Sequence, residues 1–179
     1  MFLRSQNIPA SIALVAVTFS AVAGSPGYDG YELSPSGYGP VSVGMTVSEA
    51  SKALGVDLAP VPNLDAEEIE YCHYVYPYGD YEDILAFMVE RGVISRVDVR
   101  KPGISTNEGL SIGSTGAEIS SVYKDRLEIE PHKYTGPEGK YYLVSNDKKY
   151  KYIFEVIDGV VVEFRSGRNP SVQYVEGCL

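Results

Sequence analysis

The sequence predicts an α+β fold: two tandem helix-plus-β-meander repeats forming one curved antiparallel sheet of seven to eight strands, with helices on one face. Three observations carry this reading. Residues 41–54 recur as residues 110–123, with Ser42/Ser111, Gly44/Gly113, Thr46/Thr115, Glu49/Glu118 and Ser51/Ser120 identical and Val41/Leu110, Val43/Ile112 and Ala53/Val122 apolar in both. Each copy is followed by runs in which apolar and polar residues alternate, the period of a half-buried strand. The dipeptides Arg91-Gly92 and Asp158-Gly159 fall at matching places in the two halves and suit tight hairpin turns.

The N-terminus is set apart by its composition. Arg4 precedes an apolar run over residues 12–23, and Ala21-Val22-Ala23 has the small-x-small pattern of a signal-peptidase site. Residues 1–23 therefore read as a signal peptide cleaved near Ala23/Gly24, placing the mature chain in the periplasm or outside the cell. The competing reading is a short membrane anchor, but the run is short for a bilayer span and no basic stop-transfer cluster follows. No cysteine stands at the cleavage point to carry a lipid, so the mature chain is expected to be free of a membrane anchor. The formal net charge of the 179 residues is −9, and losing Arg4 makes the remainder more acidic still. Such a chain is poorly suited to nucleic acid or anionic membranes. In an exported chain Cys72 and Cys178, the two cysteines, are expected to form a disulfide. The alternative is a nucleophilic Cys72 aided by His73, but neighbours on a strand point to opposite faces.

Residues 24–40, rich in Gly, Ser, Pro and Tyr without a period, read as a flexible lead-in. Repeat 1 spans residues 41–100. Its helix is expected over 47–54: Thr46 caps it, Glu49 stands at capping-box spacing, Val47, Ala50, Ala53 and Leu54 make the buried stripe, and Gly55 stops it. Residues 56–67 hold Pro60 and Pro62 and read as irregular. Strands follow at 69–76, 84–90 and 93–100, with turns at Tyr78-Gly79-Asp80 and Arg91-Gly92. Residues 101–109 form the linker. Repeat 2 spans 110–168, with a helix over 116–123 capped by Thr115 and Glu118, an extended stretch at 127–134, a turn at 135–139 and strands at 141–145, 150–157 and 160–165. Residues 169–179 form a tail tied back by the disulfide. Along the strands Leu85, Phe87 and Val89, then Val97 and Val99, then Tyr152, Phe154 and Val156, then Val160, Val162 and Phe164 share the apolar face. Tyr74 and Tyr76 then fall with Arg96, Arg100, Lys151, Glu163 and Arg165 on a second face expected to be open, a polar-aromatic candidate binding surface. A bulge in one strand would undo that assignment.

Two tandem copies of this kind, each opening on Gly-x-Thr-x-x-Glu (Gly44 to Glu49, Gly113 to Glu118) and closing on a hairpin, resemble the β-lactamase inhibitor protein family. Each copy alone is similar to the SmpA/OmlA (BamE-type) domain of outer-membrane assembly lipoproteins. The resemblance implies the two-repeat architecture and action by binding another exported protein. The chain departs from the pattern: the inhibitors carry a disulfide within each half, and the lipoproteins carry a lipidated cysteine, so inhibition of β-lactamase is not implied.

No chemical motif competes. His73 and His132 are the two histidines, and no H-x-x-H, C-x-x-C or G-x-S-x-G spacing occurs. Residues 109–116 are glycine-rich but lack a phosphate-loop ending. The acid pairs Glu67/Glu68 and Glu82/Asp83 read as solvated. Neither cofactor nor metal nor enzymatic activity is expected. Tyrosine stands out, with 15 copies, including Tyr71, Tyr74, Tyr76, Tyr78 and Tyr81 in one cluster and Tyr134, Tyr141, Tyr142, Tyr150 and Tyr152 in another. Tyrosine suits recognition surfaces, and equally half-buried strands. The expectation is an exported, non-catalytic protein that binds another envelope or secreted protein, inhibitor-like or assembly-factor-like. The alternative is a lectin-like binder of carbohydrate or cell wall.

Overall fold

The computed structural model describes residues 30–77 and 84–178. The predicted signal peptide and the turn with Tyr78, Tyr81, Glu82 and Asp83 lie outside the described residues. An eight-stranded antiparallel sheet, in the order β4-β5-β6-β7-β11-β10-β9-β8, forms the body. Repeat 1 supplies β4 (Leu58–Pro60), β5 (Cys72–Pro77), β6 (Leu85–Glu90) and β7 (Val93–Val99); repeat 2 supplies β8 (Leu127–Pro131), β9 (Gly139–Ser145), β10 (Tyr150–Ile157) and β11 (Val160–Arg168). The halves join at the β7–β11 seam, where Val97 pairs with Ser166, Asp98 with Arg165 and Val99 with Phe164.

The recurring motif builds the same corner twice. Helices α1 (Val47–Leu54) and α3 (Gly116–Tyr123) both start on a complete capping box. The Thr46 amide donates to Glu49 Oε2 at 2.8 Å and the Glu49 amide to Thr46 Oγ1 at 3.2 Å. Thr115 and Glu118 repeat this at 2.6 and 3.2 Å, satisfying amides that the first helical turn leaves orphaned. Gly44 and Gly113 take φ of 102° and 91°, a region that costs a side chain energy. Their amides donate to Ile94 and Val161 on the hairpins, and those residues donate back to Met45 and Ser114. Each helix start is thereby stitched to its own hairpin, whose turn residues Arg91 and Asp158 both have φ of 51°.

One face of the sheet carries the core. Phe87, Val97, Val99, Phe154 and Phe164 pack with Ala50 and Leu54 of α1 and Ile119 and Tyr123 of α3. Each large apolar side chain so buried contributes about 1.5–3 kcal/mol relative to exposure.

Four expectations change. Residues 33–40 do not form a flexible lead-in: β1 (Leu33–Ser34), β2 (Gly37–Tyr38) and β3 (Val41–Ser42) make a small second sheet. Leu33 and Tyr38 are in the core, and Tyr152 Oη donates to the Leu33 carbonyl at 2.8 Å. The linker joins this sheet, with the Leu33 amide donating to Ser105. Residues 66–71 form helix α2 (Ala66–Tyr71), so 69–71 are helix instead of strand, because Asp65 and Glu68 complete a third capping box. The strand begins only at Cys72. Finally, bulges at Met88/Val89 and Glu155/Val156 shift the register by one residue. In β11 this puts Val161 in the core and leaves Val160 and Val162 exposed, reversing the predicted alternation.

Candidate functional site

In the register of the strands the seven candidate residues lie on one face. Tyr74 pairs with Met88, Met88 with Arg96, Arg96 with Gly167 and Gly167 with Lys151, one row across the sheet. Arg165, Asp98 and Ala86 make the next row, and Glu163, Arg100 and Tyr76 lie in step with these. The face is not open, however. After β11 the chain turns at Asn169-Pro170, forms a 3₁₀ turn over Ser171–Gln173 and runs back across it. Arg96 Nη1 donates to the carbonyls of Tyr174 and Ser171, and Arg165 Nε donates to the Val172 carbonyl at 2.9 Å. Glu90 accepts from Ser171 Oγ and Arg168 Nη2, and Lys133 pairs with Glu176 at 3.7 Å. Val172 fills a second small core with Tyr141, Leu143 and Ile153. The Cys72–Cys178 disulfide fixes the end of the tail, as expected.

Arg96 and Arg165 are therefore buried beneath the tail, and Tyr76, flanked by β4, is buried as well, where solvent-facing positions were expected. Arg96 and Arg165 bind the chain's own backbone carbonyls. A signal for this stood in the sequence: Cys72 lies on the same face as Tyr74, so a bond to Cys178 must bring the tail over that face. Arg96 also grips Asp98, with Nη2 to Oδ1 at 2.5 Å and Nε to both oxygens at 2.9 Å. Arg165 pairs with Glu155.

Part of the face stays accessible. The Arg100 guanidinium lies 5.3 Å from the Tyr74 ring centre and 3.9 Å from Glu163. Burial, together with the charges of Asp98 and Glu155, pushes the Glu163 carboxyl up from its ordinary value. Lys151 is half-buried. Beside them runs a groove of about 800 Å³ between α2 and β5, bordered by Tyr71, Tyr74, Tyr76 and the disulfide. A smaller hollow of about 320 Å³ lies beneath the tail between Tyr141, Ile153 and Val175.

Cys72 is consumed in the disulfide, and His73 points to the other face, where burial lowers its pKa. His132 stacks on Tyr141 at 4.4 Å; its Nδ1 accepts from the Tyr134 and Thr135 amides. That leaves Nε2 as the donor to Glu155 at 3.2 Å, so the ring braces a turn. Among the described residues, no group of three or more His, Cys, Asp or Glu side chains is placed to hold a metal ion. In the same residues no helix is long and apolar enough to cross a membrane.

The architecture is that of a duplicated α+β sheet closed by a strap. No protein-family model matches the chain, and no curated protein matches it in sequence. Among solved structures it is similar to that of the uncharacterised protein YfeY from Escherichia coli, with a TM-score of 0.53 and 12% identity, over 76% of this chain and 99% of that one. At that identity the likeness is one of fold.

Proposed function

We propose that the protein is an exported, non-catalytic binding protein that acts on another envelope or secreted protein, in the manner of an inhibitor or an assembly factor. The observation that carries this is the groove beside Cys72–Cys178, where Tyr71, Tyr74 and Tyr76 border a cleft that nothing in the described chain fills. Tyrosine gives large contact area and a hydrogen bond for few frozen rotors, the economy that recognition surfaces exploit. The disulfide supports an oxidising compartment, and the N-terminal signal pattern supports export. The resemblance of the tandem pair to the β-lactamase inhibitor protein family, and of each copy to the SmpA/OmlA domain, supports binding rather than turnover. The site differs from the one expected from sequence: it is the margin that the tail leaves free, not the whole face.

The test compares the oxidised protein with a Tyr71→Ala/Tyr74→Ala variant as bait in an envelope extract, beside a glycan array. A protein retained by the first and lost by the second supports the reading. Identical protein recovery by both baits, or glycan binding that depends on the same tyrosines, overturns it.

A further inference from the structure

Helix α2 has no place in the economy of the fold. None of its side chains is buried. Ile69 and Tyr71 are 47% and 55% exposed, and Val61 just ahead of them 39%. The helix fills the connection 61–71 between β4 and β5; the equivalent connection 132–138 between β8 and β9 has no helix. Repeat 2 thus shows that the repeat closes without it.

The same element concentrates negative charge. Asp65, Glu67, Glu68 and Glu70 crowd one short helix, and no lysine or arginine pairs with any of them among the described residues. Glu67 and Glu70 are neighbours on the helix surface and repel. Asp65, Glu67 and Glu68 border the groove, whose lining among the described residues contains neither lysine nor arginine. His73 touches it from the opposite side of β5.

We infer that this groove seats a cationic extended segment of a protein partner, its Lys or Arg heads on the α2 carboxylates and its apolar residues against Tyr71 and Val61. The inference rests on the binding function proposed above and adds the chemistry of the occupant. Long basic side chains satisfy both halves of the surface at once, since their stems are apolar and their heads donate. An uncharged oligosaccharide leaves the carboxylates unneutralised, and an anionic membrane is repelled.

The test titrates the oxidised protein with a labelled decapeptide of alternating arginine and leucine, and with a twin of alternating glutamate and leucine, by fluorescence anisotropy. The cationic peptide binds and the acidic one does not. Affinity falls as salt rises from about 50 to about 500 mM, because these charges sit at the surface. Glu67→Gln/Glu70→Gln, which spares the capping box, weakens binding about three- to tenfold, and Tyr71→Ala weakens it as well. Equal binding of both peptides, or unchanged affinity in the glutamine variant, overturns the inference. The two readings fail separately. An envelope partner that needs Tyr71 and Tyr74 but ignores the glutamine changes and salt keeps the binding function and removes the cationic occupant. Charge-dependent peptide binding without any tyrosine-dependent envelope partner does the reverse.

Discussion

Asp98 and Arg165 face each other across the β7–β11 seam at the one register position that the internal two-fold relation maps onto itself. Val97 and Ser166 exchange with Phe164 and Val99 under that relation, whereas this pair exchanges with itself. Two identical copies would bring a residue here against its own twin. Aspartate against aspartate, directly opposite on one face, is destabilising. The two halves carry opposite charges at the position where the geometry makes identity costly.

Asp98 is fully buried and holds Arg96, itself 2% exposed, through Nε and Nη2. Asp98→Ala leaves a guanidinium in the interior without its counter-charge. We expect a loss of about 3–5 kcal/mol, measured by urea unfolding of the oxidised protein. Asp98→Asn, which keeps an acceptor, loses less. A loss under about 1 kcal/mol for the alanine variant would mean that the tail carbonyls alone suffice for Arg96.

The tail is secured both by the disulfide, across a sequence separation of 106, and by Arg96, Arg165 and Val172. Reduction or Cys72→Ser/Cys178→Ser should lower stability by about 2–4 kcal/mol, because the unfolded chain regains the closed loop. The damage should be local at first. Amide exchange accelerates at residues 174–178, while β7 and β11 keep their protection. Uniform acceleration across the sheet would show that the tail is integral to the core.

The parts of this architecture legible in sequence are those decided by neighbours along the chain. Thr46 with Glu49, and Thr115 with Glu118, fix their helix starts within one turn; Arg91-Gly92 and Asp158-Gly159 fix their hairpins within two residues. Helix α2 obeyed the same logic through Asp65 and Glu68, but Ile69, Tyr71 and Val75 suggested strand alternation and hid it. The bulge at Val162 depends on what lies across the ladder, which no local pattern states. Strand alternation puts Tyr74, Arg96 and Arg165 on one face, but the exposure of that face depends on residues 170–178. An arginine that meets solvent and one that meets a tail carbonyl look alike in sequence.

The capping boxes carry a pH dependence whose sign is fixed. The Thr46 amide and hydroxyl hold the Glu49 carboxyl below 4.5, and Thr115 does the same for Glu118. A folded-state value below the unfolded one stabilises above about pH 4.5 and ceases to as pH falls through the lowered value. Carboxyl carbon titration by NMR should place both glutamates below the others on the surface. Thr46→Ala and Thr115→Ala should return each to the ordinary range, and removing each threonine cap should cost about 1 kcal/mol. Unmoved titration midpoints would mean that the boxes are not populated in solution.

Gly116 and Tyr142 form a volume pair that repeat 1 solves differently. A Cβ on Gly116 would lie 2.4 Å from Tyr142 Oη and 2.8 Å from its Cζ, and Tyr142 is buried with little freedom to yield. The corresponding positions in repeat 1 are Val47 and Val75: a larger residue at the helix start over a smaller one on the strand. Gly116→Ala should therefore cost about 1–3 kcal/mol by overpacking, partly offset by up to about 1 kcal/mol of helix propensity. Tyr142→Val alone opens a cavity and should cost about 2–4 kcal/mol. Gly116→Val/Tyr142→Val copies repeat 1, and its cost should fall below the sum of the two single losses by about 0.5–3 kcal/mol. The cycle is read by urea unfolding of Gly116→Val, Tyr142→Val and the double variant. Strict additivity would show that the helix start and β9 do not share this space, and that the correspondence between the repeats stops short of their packing.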